Sequence, residues 1–109
     1  MDAEQRAAEF LTNAGLRILK RNYRCRLGEL DIVAQQDAVL VVAEVRCRSR
    51  NDYGGAAASV TPAKQRRIIL ATRHLLMRHP SLAQLAIRFD VLAINADQID
   101  WLRGAFSAL

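Results

Sequence analysis

Gly28-Glu29-Leu30-Asp31-Ile32-Val33-Ala34, then Val39-Leu40-Val41-Val42-Ala43-Glu44-Val45-Arg46, is the stretch on which the fold of this chain turns. Both segments are dominated by β-branched and other apolar residues, so each reads as a strand. Gln35-Gln36-Asp37-Ala38 lies between them as a turn, which predicts an antiparallel hairpin. If Ala34 pairs with Val39 across that turn, Asp31 faces Val42 and Glu29 faces Glu44. One hairpin face is then wholly apolar: Leu30, Ile32, Ala34, Val39, Val41, Ala43, Val45 and Cys47. The other carries Glu29, Asp31, Val33, Leu40, Val42, Glu44 and Arg46.

Outward from the hairpin, the elements follow from local signals. Asp2 to Asn13 reads as a helix, because Ala7, Ala8, Phe10, Leu11 and Ala14 recur at helical spacing. Gly15 suits the position after it. Leu16 to Leu19 reads as a short strand, followed by a basic stretch, Lys20-Arg21-Asn22-Tyr23-Arg24. After Arg50 the glycines and alanines indicate a loop. Thr61-Pro62 then opens a helix, with Thr61 as cap and Pro62 in the first turn, running to about His79 before Pro80. Ile87 to Asn95 alternates as a strand, and Ile99 to Leu102 as a short last one. The order α-β-β-β-α-β-β predicts one α/β domain over residues 1–109, a mixed β-sheet flanked by helices.

Composition narrows the function classes. Apolar residues make up 51% and charged residues 25%, which points to a soluble globular domain. No apolar run reaches membrane-span length, and the early Asp2, Glu4 and Arg6 do not suit a secretory leader. Cys25 and Cys47 lack zinc-knuckle spacing and read as reduced thiols of a cytoplasmic protein. A net charge of +5 suits a polyanionic partner. His74 and His79 read as packing or surface residues, Trp101 as core or edge packing, and Glu29 as a salt-bridge residue.

The carboxylates in the hairpin call for an explanation, since a charge buried in a strand without a partner costs several kcal/mol. Asp31 and Glu44 are diagonal neighbours in the pairing above, close enough to converge on one ion. Hard oxygen ligands suit Mg²⁺ or Mn²⁺, with water and a substrate phosphate completing the shell. Neutralisation by Arg46 and a second arginine is the alternative. Lys64 sits in the first turn of the second helix, where the dipole favours anions rather than cations, so it reads either as the contact of an approaching anion or as part of a solvated face. Arg48 and Arg50 continue from Arg46 along or just beyond the strand and can follow a nucleic-acid backbone.

An acid followed on the next strand by Glu-x-basic resembles the signature of the PD-(D/E)XK nuclease superfamily. More of the chain agrees with one branch of it. Arg21-Asn22-Tyr23-Arg24, Gly28 to Ala34, Val41 to Arg48, Tyr53-Gly54, Val60, Lys64, Arg67-Ile68 and Arg88-Phe89-Asp90-Val91 resemble the YraN-type family of uncharacterised bacterial proteins. So does the first helix, with Glu4, Ala7, Ala8, Phe10 and Leu11. That family is similar to Holliday junction resolvases. The resemblance implies a restriction-endonuclease-like fold, Asp31 and Glu44 as ligands of Mg²⁺ or Mn²⁺, Glu4 as a further acid, and a nucleic-acid substrate, DNA in particular. Resolvase-like enzymes commonly work as symmetric pairs, which makes a homodimer one form open to this chain, though the sequence alone does not fix the oligomeric state.

Arg46 departs from the superfamily, which usually places lysine there. Arginine supplies charge and hydrogen bonds to a phosphate but stays protonated, so it is no general base. Three functions are therefore expected in order. The first is a metal-dependent endonuclease using Glu4, Asp31, Glu44 and Arg46, with Arg48, Arg50 and Lys64 on the nucleic acid. The second is an inactive nucleic-acid-binding module of the same fold. The third is an interaction protein whose basic face meets an acidic protein or RNA.

Overall fold

Eight elements follow one another in the computed structural model, which describes residues 2–48, 55 and 59–108. They are α1 (Ala3–Asn13), β1 (Arg17–Cys25), β2 (Gly28–Gln36), β3 (Val39–Cys47), α2 (Pro62–Arg78), a 3-10 turn (Pro80–Gln84), β4 (Ala86–Ile94) and β5 (Ile99–Phe106). The loop expected after Arg50 falls mostly outside the described residues. Each helix starts where its cap dictates. The Asp2 carboxylate accepts from the Gln5 amide at 2.8 Å, and the Thr61 hydroxyl accepts from the Lys64 amide at 3.2 Å. Gly15 takes the left-handed conformation (φ 97°) that ends α1. No helix of the described residues is long and apolar enough to cross a membrane.

The strands form one mixed sheet in chain order, β1-β2-β3-β4-β5. β1, β2 and β3 are an antiparallel meander, β3 and β4 are parallel with α2 as the crossover, and β5 returns antiparallel to β4. A parallel pair needs such a crossover, and the helix covers the face it crosses. One core, beneath α2, gathers Leu30, Val33, Leu40, Val42, Ile68, Leu75, Phe89 and Val91. The other, beneath α1, gathers Ala7, Leu11, Ile32, Ala34, Val41, Ala43, Leu92 and Ile94. This α/β sandwich, a mixed sheet with a helix on each face, has the restriction-endonuclease-like organisation expected from the sequence.

Four expectations need correction. First, the first strand does not stop at Leu19: the basic stretch from Lys20 to Arg24 is the second half of β1. Its polar run hides the strand from pattern reading, since an outermost strand has little to bury. Second, β5 reaches Phe106 rather than Leu102. Third, the hairpin turn is tighter: Gln36 pairs with Val39, leaving Asp37 and Ala38 at the tip, with Asp37 left-handed (φ 52°). Asp tolerates that conformation better than most residues. The pairing therefore shifts by two residues, and Ala34 lies opposite Val41 instead of Val39.

Fourth, the hairpin is not apolar on one side and charged on the other. Helices cover both faces, so Val33, Leu40 and Val42 are as buried as Ile32, Ala34, Val41 and Ala43. Leu30 also joins the α2-side core, although Ile32, two residues on, belongs to the α1 side. Strict alternation thus fails at Asp31. The β1–β2 ladder skips the same place: Arg21 pairs with Ile32 and Tyr23 with Leu30, while Asn22 between them is left-handed (φ 52°).

Gly28, at the start of β2, is a close-approach glycine. A Cβ there would lie 2.8 Å from the carbonyl oxygen of Arg67 in α2. The main chain of α2 cannot yield as a side chain would. We expect Gly28→Ala to lower stability by about 1–3 kcal/mol through overpacking, read as a lower urea midpoint. An unchanged midpoint would show that α2 does not rest on this strand.

Candidate functional site

The regular β2–β3 ladder ends at the Ile32–Ala43 pair. Continued by one residue, the same register sets Asp31 directly opposite Glu44, nearer than the diagonal relation expected from sequence. Side chains take over there from backbone carbonyls. The Val45 amide donates to Asp31 Oδ2 at 2.9 Å, and the Asp31 amide leans toward Glu44 Oε1 at 3.5 Å. Asp31 is half-buried, whereas Glu44 is 1% exposed. A buried carboxyl beside another is costly to ionise. Burial first, then the charge and hydrogen bond of Asp31, push the Glu44 pKa up from 4.5 to about 8. Glu44 thus keeps its proton at neutral pH.

Two further groups reach this pair from the helices. Glu4, in the first turn of α1, is half-buried. Its pKa is raised by burial and then by Asp31, while Arg21 pulls the other way. From the opposite face, Lys64 stands one turn before the buried Ile68, on the same side of α2. Its charge acts on Glu44 and favours the ionised form. The structure therefore assembles Glu4, Asp31, Glu44 and Lys64 from α1, β2, β3 and α2.

The remaining candidates lie elsewhere. Arg46 donates from Nε to the Ser59 hydroxyl at 3.0 Å and from Nη2 to the Ser59 carbonyl at 3.2 Å. It is thereby tied to the chain entering α2. Arg48 forms an ion pair with Asp100 of β5. Arg50 lies outside the described residues. Glu29 faces Arg24 of β1, 3.3 Å away, rather than Glu44. It is the salt-bridge residue that the sequence suggested.

Does this donor set suit a metal ion? Among buried side-chain oxygens of the described residues, only Glu4 Oε1 and Glu44 Oε2 lack a hydrogen-bond partner. Buried polar atoms are normally satisfied, so these two oxygens keep free acceptor capacity for a water or a cation. No cluster of three His, Cys, Asp or Glu side chains forms a ready cage among the described residues. The Asp31–Glu44 pair supplies two carboxylates, and Mg²⁺ or Mn²⁺ take one or two from the protein and leave the other positions to water and phosphate.

Sequence reasoning named these four residues and brought Asp31 and Glu44 together, but not the head-on pairing or the reach of Lys64 to Glu44. It missed the carboxylate that the fold satisfies most completely. Asp90, fully buried on β4, accepts a two-pronged contact from Arg88 (2.9 Å on each oxygen), the Trp101 indole at 2.9 Å and the Gly104 amide at 3.0 Å. Those bonds tie β4 to β5, and Asp90 pushes the Arg88 pKa up by hydrogen bonding. The signal was present in Arg88-x-Asp90, because side chains two apart on a strand share a face.

The model of an uncharacterised protein family, UPF0102, matches residues 3–94, a span that contains every candidate site residue named above. Relatives agree over nearly the whole chain. A UPF0102 protein of Dechloromonas aromatica is 47% identical over 98% of this chain and 87% of its own length. One of Aeromonas hydrophila is 50% identical, covering 94% and 80%. One of Cupriavidus taiwanensis is 51% identical, covering 97% and 80%. With a family model matched over most of its length and relatives about half identical over nearly all of it, the chain belongs to the UPF0102 family, the YraN-type family expected from its motifs.

Proposed function

We propose that this protein is a metal-dependent endonuclease-like protein of the cytoplasm that binds DNA and cleaves it, with structured or branched DNA as its substrate. One observation carries the reading: a buried Glu44 with an orphaned oxygen, set against Asp31 at the end of a hairpin ladder. Asp31 and Glu44 would hold Mg²⁺ or Mn²⁺, with Glu4 assisting from α1. An ion held there supplies Lewis-acid activation of a phosphodiester and of the water that attacks it.

The protein's own residues divide the remaining work. Lys64 keeps positive charge beside the acid pair. Arg46, fixed by Ser59, presents a permanent charge to a phosphate oxygen and takes no part in proton transfer. Lys64 would thus position a phosphate of the nucleic-acid backbone beside the acids. A homodimer suits a two-fold symmetric substrate such as a junction.

Cleavage of junction, flap and single-stranded DNA in Mg²⁺ or Mn²⁺ tests the proposal. We expect Asp31→Ala and Glu44→Ala to lose at least 100-fold in rate. Lys64→Ala should lose more than Arg46→Lys does. No cleavage by the wild-type protein, or equal cleavage by Asp31→Ala, would remove the enzymatic reading. A second reading, an inactive DNA-binding module, is favoured by the Arg46–Ser59 contact, which draws the strand's one basic side chain away from the acids. It predicts salt-sensitive DNA binding that is indifferent to metal.

A further inference from the structure

We propose that the groove between the outer edge of β1 and the last turn of α2 binds the phosphodiester backbone of a nucleic acid and leads it to the acid pair. This inference rests on the proposed nucleic-acid substrate and adds a second contact surface to it. The cavity there has a volume of about 350 Å³ and is walled by Lys20, Arg21, Arg24 and Arg78, with His79 at its end. Among the described residues, no acidic side chain lines it.

Local needs explain only part of this charge. Arg78 in the last turn of α2 suits the helix dipole, and a lysine on an outer strand discourages edge-to-edge pairing. Neither accounts for four guanidinium and ammonium groups around one concavity. Arg24 has Glu29 as a partner, and Arg21 donates only to the neutral Gln5 Oε1 at 2.7 Å. Lys20 and Arg78 are exposed and have no ion-pair partner among the described residues. A concave surface of one sign concentrates anions.

The remaining walls suit a polymer rather than a lipid surface. Tyr23 is held by its hydroxyl against His74 Nδ1 at 2.5 Å, so its ring is a fixed side of the groove. An aromatic ring in a basic groove is the usual companion of a nucleic-acid backbone. No exposed aliphatic side chain lines the groove to enter a bilayer.

The groove also adjoins the acid pair. Arg21 lines it, and the charge of Arg21 reaches Glu4. Asn22 lines it and lies across from Asp31 between the Arg21–Ile32 and Tyr23–Leu30 pairs. Neighbouring strands are about 4.8 Å apart, so a backbone in the groove comes within a nucleotide or two of Asp31.

The test uses the full chain in EDTA, where metal-dependent cutting is stopped. Binding of a labelled single strand and of a duplex is followed by fluorescence anisotropy across a salt series. The comparison is wild type against Lys20→Ala/Arg78→Ala, two exposed changes away from the acid pair. We expect affinity to fall at least tenfold. The slope of log affinity against log salt should lessen by about 1.4 for the single strand and about 1.8 for the duplex. Mn²⁺ affinity by calorimetry should not change. Equal affinity and slope in wild type and variant would overturn the inference. So would saturation of the groove by inorganic phosphate alone at concentrations that displace the oligonucleotide, or tighter binding to anionic vesicles than to DNA. Wild type that binds DNA through the groove yet never cuts it would leave this inference standing and remove the nuclease. Wild type that binds Mn²⁺ but no nucleic acid would do the reverse to the groove and spare the metal site.

Discussion

Raising the pH from 5 to 9 without divalent metal should cost this protein a few kcal/mol of stability, and Mn²⁺ should restore it. The sign follows from Glu44, whose pKa is about 8 in the folded chain against 4.5 in the reference state. Between those values the folded protein keeps a proton that the unfolded chain has lost. Its contribution is full below the unfolded value and declines as pH rises through the folded one. Each unit of difference corresponds to about 1.4 kcal/mol. For a domain of this size the loss corresponds to a fall in Tm of about 10 °C or more.

A bound ion reverses the preference, because ligation requires the carboxylate. Mn²⁺ affinity should therefore rise with pH up to about 8 and level off beyond the Glu44 pKa. Glu44→Gln removes the titrating group while keeping its shape. It should flatten the stability profile, raise Tm at pH 9 in EDTA, and abolish the Mn²⁺ response. Denaturant midpoints at several pH values, with and without Mn²⁺, decide the matter. A wild-type profile as flat as that of Glu44→Gln would mean that folded Glu44 keeps no proton that the unfolded chain has lost. A Tm unmoved by millimolar Mn²⁺ at pH 9 would mean that it holds no metal.

Asp90→Ala should be the most damaging single change outside that pair. Asp90 is fully buried and satisfies Arg88, the Trp101 indole and the Gly104 amide at once. Removing it strands a guanidinium and two N–H donors on the inner side of the last two strands. Breaking a buried ion pair by deleting one partner costs about 3–5 kcal/mol. Much of a small domain's margin would be lost, since total stability is only about 5–15 kcal/mol. The loss should be local first. β5 pairs only with β4, so its amides should exchange faster than those of β2 and β3 in hydrogen exchange. Asp90→Asn keeps the volume and one acceptor and should fall between wild type and alanine. Global stability within 1 kcal/mol of wild type for Asp90→Ala would show that the four contacts contribute little.

Several features were legible because their causes are local. The apolar stripe of Ala7, Ala8 and Leu11 needs only helical periodicity, and all three residues are buried under α1. Thr61-Pro62 marks a helix start by chemistry confined to one turn. The hairpin, too, was visible in two apolar runs around a polar break. Asp31 and Glu44 stood out because each interrupts a buried strand with a charge.

The pairing was less accessible. A four-residue and a two-residue turn both fit Gln35 to Ala38, and either keeps Asp31 and Glu44 on the same side, since the two differ by an even number. The apolar-against-polar division of the hairpin failed for another reason. It assumes solvent on one face, whereas α1 and α2 cover both. Partners of the charged residues were out of reach of local pattern. Arg46 meets Ser59, Arg48 meets Asp100, and Lys64 acts on Glu44, each across a distance in the chain that periodicity does not span.

From the one-dimensional chain come the helices with their caps, the strand order, and the two acids that stand out against an apolar background; these depend on interactions within a few residues. Only the three-dimensional packing decides that Asp31 meets Glu44 head-on, that Lys64 rather than Arg46 lies beside them, and that the β1 arginines form a groove with Arg78. Those outcomes depend on how α2 lies across the sheet, with Gly28 against Arg67, and a contact between distant segments leaves no periodic trace in the order of residues.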